Sequence, residues 1–122
     1  MFDELFPILT TPDLARSLRF YRDLLGGEVT YRFPADGEPA YVSVKIGGSH
    51  LGIGRQDEPG TRANERVTLW VYARECDAGL ARLRDGGVEV VQEPADQPWG
   101  ERMAMVADPD GNRVIIASRA PG

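Results

Sequence analysis

His50 is the single histidine of this chain, so a two-histidine metal centre cannot be built within one copy of it. The one cysteine, Cys76, recurs with Leu80 and Leu83 at i, i+4, i+7, the spacing of a single helical face, and reads as a small core residue rather than a nucleophile. Ser-His-Asp catalysis would have to recruit His50, and no nucleophile-elbow motif accompanies it. Asp108-Pro109-Asp110-Gly111-Asn112 has the oxygen density of a calcium loop, but its glycine falls at the fourth place rather than the sixth, with no bidentate Glu at the twelfth. Gly52-Ile53-Gly54 lacks the third glycine and the following helix of a phosphate-binding turn. Lys45, Glu101 and Arg102 are the candidates for acid–base work, and no pair among them stands out by spacing. The remaining chemistry is aromatic and soft: Trp70, Tyr72, Trp99, Tyr41 and Phe6, with Met103 and Met105, side chains that stack on flat ligands or adapt to irregular ones.

These residues are positioned by a scaffold that repeats itself. Leu5 to Pro34 and Val67 to Pro94 read alike: an apolar strand, a short polar turn, an amphipathic helix, a Gly-Gly pair and another strand. Leu14, Leu18 and Tyr21 match Cys76, Leu80 and Leu83 as helix faces. The offset is 62 residues through Arg22-Asp23 and Arg84-Asp85, and drops to 60 after Leu24 and Leu25, which the second copy lacks. Gly26-Gly27 and Gly86-Gly87 stop the helices. Thr11-Pro12 offers the first helix an N-cap and a proline at its first position. Each half then adds two strands, Tyr41 to Ile46 and His50 to Arg55 in the first, Arg102 to Ala107 and Arg113 to Ser118 in the second, the last pair joined by the turn-rich Asp108–Asn112 segment. The expected fold is α+β: one domain over residues 1–122, built of two tandem βαβββ modules (about 1–57 and 66–119) and a polar linker over about 55–66. Its curved mixed sheet would form a concave groove, with the helices on the outer face.

A chain of this size buries roughly two-thirds of its unfolded surface and needs no disulfide to hold a core. The net charge of −5 argues against nucleic acid and anionic membranes and favours a cationic ligand. No apolar run approaches the ~20 residues of a membrane span. The acidic start, Met1-Phe2-Asp3-Glu4, lacks an export-signal pattern, and a cytoplasmic location is expected.

The segment TPDLARSLRFYRDLLGGEV resembles the first-half signature of vicinal-oxygen-chelate proteins, the glyoxalase/bleomycin-resistance/dioxygenase superfamily, and PWGERMAMVADPDGNRVII resembles their last hairpin. With the repeat, the likeness covers nearly the whole chain. It implies the fold above and leaves the reaction open, because the superfamily spans isomerases, dioxygenases, thiol transferases and non-catalytic antibiotic-binding proteins. Metal-dependent members carry His and Glu ligands on inward-facing positions of the first and last strands of each half. Those positions fall here on Phe6, Gly52, Thr68 and Ile115, of which three have no side chain able to bind a divalent ion and threonine is a poor ligand.

Strand parity then assigns the groove. If Thr68 faces it, so do Trp70 and Tyr72, while Val67, Leu69 and Val71 face the helices. Phe6, Ile8 and Thr10, then Tyr41, Ser43 and Lys45, and Met103 with Met105 follow the same rule, and Trp99 precedes the last of these strands. The expected ligand-binding set is therefore Phe6, Tyr41, Thr68, Trp70, Tyr72, Trp99, Met103 and Met105, with no catalytic residue, metal or cofactor. Resemblance to bleomycin-resistance-type proteins implies sequestration of a bulky, flat aromatic natural product by a homodimer. The alternative is a glyoxalase-like lyase or isomerase, or a dioxygenase-related enzyme, with an atypical site.

Overall fold

A computed structural model describes residues 5–56 and 68–119. The chain divides into two compact units, Met1–Thr61 and Arg62–Gly122. The first carries β1 (Ile8–Thr11), helix α1 (Leu14–Leu18), β2 (Glu28–Phe33), β3 (Tyr41–Ile46) and β4 (Ser49–Arg55); the second carries β5 (Leu69–Tyr72), helix α2 (Cys76–Asp85), β6 (Glu89–Asp96), β7 (Arg102–Ala107) and β8 (Arg113–Ser118). The βαβββ order thus occurs twice. Each unit has its own four-stranded mixed sheet, ordered β1-β4-β3-β2 and β5-β8-β7-β6, in which the first strand runs parallel to the last and the other pairs are antiparallel.

Both predicted helix faces are buried: Leu14, Leu18 and Tyr21 in one unit, Cys76, Leu80 and Leu83 in the other. They meet the apolar parity of their sheets, Val42, Val44 and Ile53 in the first, Ala104, Val106, Val114 and Ile116 in the second. Cys76 donates its S–H to the Ile116 carbonyl at 3.3 Å, and burial pushes its thiol pKa up. Gly27 is required by close approach: a Cβ there would meet Val44 Cγ1 and, at 2.7 Å, the Tyr21 carbonyl.

Two expectations are adjusted. The first helix is not capped by Thr11 with Pro12 at its first position. Asp13 is the N-cap, its carboxylate accepting from Arg16 N at 3.0 Å, and Leu14 opens the helix. Thr11 instead ties the approach, its Oγ1 accepting from Asp13 N at 3.1 Å. Next, α1 continues as a π-helical segment over Arg19–Leu24, closed by Leu25 N donating to Phe20 O at 2.9 Å. Leu24 and Leu25, the residues in excess of the second copy, fall in this wide turn, which absorbs an insertion without breaking the helix. The strand expected to end at Arg55 does so as β4, and Gln56 N donates to Thr11 O; residues 57–66 of the expected linker lie outside the described residues.

The DPDGN segment is a turn. Asp108 is buried, and its carboxylate accepts from Asp110 N, Asn112 N and Asn112 Nδ2 at 2.8–2.9 Å, so its oxygens are committed to local donors. Among the described residues no helix is long and apolar enough to cross a membrane.

Candidate functional site

The register of the second sheet sorts its side chains. Trp70 lies opposite Ile115, which lies opposite Met105; Tyr72 lies opposite Ala117, which lies opposite Met103. These six share one face, and Leu69, Val71, Ala104, Val106, Val114 and Ile116 share the face toward α2, because directly paired residues project to the same side. The split expected from parity is the split observed. Thr68 is exposed, one residue before β5.

On that face an aromatic cluster is organised around one carboxylate. Tyr72 donates its hydroxyl to Glu101 Oε2 at 2.7 Å, and Trp99 donates Nε1 to Glu101 Oε1 at 2.8 Å. Trp70 packs edge-on against Tyr72 with ring centroids 6.1 Å apart. The Arg119 guanidinium lies 3.8 Å from the centre of the Tyr72 ring, a cation–π contact. The bond to the Glu101 carboxylate pushes the Tyr72 phenol pKa up, since the phenolate would lose that bond and face a like charge. Trp70 and Tyr72 each keep 41% of their surface exposed and Trp99 keeps 57%. The cluster therefore presents three partly open rings and a carboxylate whose two oxygens are each anchored by an aromatic donor.

In the first unit, Tyr41, Ser43 and Lys45 lie opposite Gly54, Gly52 and His50 and share a face with Ile8 and Thr10. Tyr31 and Phe33 of β2 lie opposite Ser43 and Tyr41 and join them, the Tyr31 and Tyr41 rings 6.2 Å apart. Phe6 packs edge-on against His50 with centroids 6.0 Å apart.

The positions that the resemblance equates with metal ligands do not fit an ion. A Cβ on Gly52 would run into the Tyr41 hydroxyl and come within 3.0 Å of its Cε2 and of Ile8 Cγ1, so the Tyr41 ring occupies the space a ligand side chain would need. Ile115 is 7% exposed and wholly apolar. Phe6 carries no donor atom, and Thr68 would have to act alone. Among the described residues no three His, Cys, Asp or Glu side chains gather as an ion would require.

The acid–base candidates separate. Glu101 belongs to the aromatic cluster. Arg102 turns to the opposite face, donating Nε to Asp77 Oδ1 of α2 at 2.7 Å and Nη1 to Asp96 Oδ1 at 3.1 Å, which raises its pKa and lowers that of Asp77. It is a clamp between helix and sheet. Lys45 belongs to the first unit. Reading by residue type missed Arg119 and the anchoring role of Glu101. Parity held a signal for Arg119, two residues beyond Ala117, whereas Glu101 precedes its strand and nothing local marks it.

The model of the Glyoxalase/Bleomycin resistance protein/Dioxygenase superfamily matches residues 4–116. The chain belongs to that superfamily. A curated relative, the uncharacterized protein Mb0911c of Mycobacterium bovis, is 28% identical over 118 residues, 88% of this chain and 78% of the relative. Two solved structures share the superfamily fold throughout. TioX from Micromonospora sp. ML1 superposes with a TM-score of 0.77 at 23% identity, covering 98% of both chains. A glyoxalase-related enzyme from Fulvimarina pelagi superposes with a TM-score of 0.78 at 22% identity, covering 98% of this chain and 89% of its own. At these identities the likeness carries the fold, and function has to be argued from the site.

Proposed function

We propose that the protein binds and sequesters a bulky, flat aromatic small molecule without transforming it, on the aromatic face of the second unit. The observation that carries this reading is the cluster of Trp70, Tyr72 and Trp99 around Glu101, with Met103 and Met105 on the same face of β7, one strand beyond β8. Each aromatic pairing with a flat ligand contributes about 0.5–1.5 kcal/mol beyond area burial. The Glu101 carboxylate and the net charge of −5 favour a ligand carrying positive charge. Phe6 and Tyr41 supply the corresponding surface of the first unit. In this reading the protein acts in the cytoplasm as a homodimer, a second copy covering the exposed Ile8, Tyr31 and Phe33 of the first sheet.

Glu101 also favours a second reading. A carboxylate fixed by two donors beside open rings is placed as a general base for a metal-free lyase or isomerase of the glyoxalase type. The two are distinguished by a thermal-shift screen of planar aromatic antibiotics followed by product analysis of each hit. Binding raises the apparent melting temperature, and the sequestration reading predicts hits recovered unchanged. Conversion of a hit that is lost in Glu101→Gln supports the enzyme, and a screen without hits removes the first reading.

A further inference from the structure

The two units close the gap between helix and sheet edge differently. In the second, Arg84 of α2 donates to Glu93 of β6 at 2.6 Å, an ion pair that straps the helix to the outer strand. The equivalent residues of the first unit are Arg22, by the 62-residue offset, and Arg32, by the bulge register. Val29 lies opposite Val44 and Tyr31 opposite Ser43; Val90 lies opposite Val106 and Gln92 opposite Met105; Arg32 and Glu93 each follow directly. The bulge is what turns both Val29 and Arg32 toward α1, where strict alternation would have separated them. Two cations therefore stand where the other unit has a cation and an anion, and they cannot pair.

The consequence is an open cleft of about 680 Å³ on the helix side of the first sheet, within the size range of small-molecule sites. Its apolar surface is Leu14, Leu18, Val29 and Val42, and Pro39 forms part of its wall. Arg22 turns aside to its neighbour Asp23 at 2.8 Å, and Arg55 pairs with Glu38 at 3.2 Å. Arg32 reaches only backbone carbonyls, Pro34 O at 3.2 Å and Gly37 O, and among the described residues no carboxylate answers it. The cleft also carries two carboxylates, both engaged elsewhere: Asp13 caps α1 through Arg16 N, and Glu38 pairs with Arg55. Arg32, the guanidinium there without a carboxylate partner, is suited to an incoming one, which it can hold through two parallel N–H donors.

We propose that this cleft binds a small amphipathic organic anion, a carboxylate with an aliphatic or aryl body, its charge on Arg32 and its body on Leu14, Leu18, Val29 and Val42. The site is separate from the aromatic face of the second unit and stands without it.

The test is a titration of ¹⁵N-labelled protein with octanoate. Shifts should concentrate at Leu18, Val29, Arg32 and Val42, and the neutral 1-octanol should bind more weakly. Arg32→Gln should weaken octanoate by about tenfold or more, the loss of one charge-assisted contact, while Arg32→Lys retains most of the affinity. Arg32→Glu, which recreates the pairing of the second unit with Arg22, should abolish binding and raise the melting temperature. Both tryptophans, Trp70 and Trp99, lie in the second unit, so their fluorescence should stay constant throughout. Octanoate shifts located elsewhere, quenching of tryptophan without shifts in the cleft, or wild-type octanoate affinity in Arg32→Gln or Arg32→Glu would each overturn the proposal.

Discussion

Replacing Trp70 by alanine should separate binding from folding, and the structure sets the expected cost. A fully buried large aromatic cut to alanine typically costs about 3–5 kcal/mol. Phe20, only 2% exposed, meets that condition and should pay the whole amount. Trp70 keeps 41% of its surface open, so scaling by the covered part gives about 2–3 kcal/mol for Trp70→Ala. Trp99 keeps 57% open, and the same scaling gives about 1–2 kcal/mol for Trp99→Ala. For a chain of this length each kcal/mol moves the midpoint by about 3–5 °C. Melts followed by circular dichroism should therefore rank the variants Phe20→Ala, Trp70→Ala, Trp99→Ala, from most to least destabilised, with both tryptophan variants folded at room temperature. The reasoning fails if Trp70→Ala costs as much as Phe20→Ala: Trp70 would then be core, and the aromatic face would be a packing surface.

Gly27→Ala forces a methyl against the Tyr21 carbonyl and the buried Val44, and overpacking of this kind costs about 1–3 kcal/mol; Gly48→Ala, with open space around it, should be near neutral, and paired urea melts decide. Cys76, fully buried with its thiol pKa raised by burial, should resist a thiol-specific reagent in the native state and react stoichiometrically in denaturant. The carboxyl of Asp77 is held below its ordinary value by the hydrogen bonds from Arg102. Its contribution is therefore present above the unfolded pKa of about 3.9 and is lost as pH falls through the lower folded value. Wild type should out-melt Asp77→Asn at neutral pH, with the gap narrowing below about pH 4; a gap that widens in acid would contradict the pairing.

What could be read from the residues was whatever depends on period and repetition. The i, i+4, i+7 trios, the alternation in β3 and β5, and the 62-residue echo each reflect burial that a single element dictates, and all reappear at the expected positions. The helix start was misread because Thr11 and Asp13 both offer a capping oxygen two residues apart, and backbone geometry, not residue type, chose Asp13. The aromatic cluster was legible only as a list of rings. Its centre, Glu101, is 29 residues from Tyr72 in sequence and joins it through the β5-β8-β7 register, which no local pattern encodes. The cleft beside Arg32 was hidden for a related reason: it arises from a bulge, and bulges shift parity without leaving an obvious mark in composition.

The most direct test of the account is a fluorescence titration of chelator-treated protein with planar aromatic natural products, read through Trp70 and Trp99. Saturable quenching by at least one compound is predicted, unchanged by added divalent metal and weakened by about tenfold or more (1.4 kcal/mol per decade) in a variant lacking the Trp70 ring. Quenching that appears only after a divalent metal is restored, or an affinity in Trp70→Ala equal to that of wild type, would contradict it.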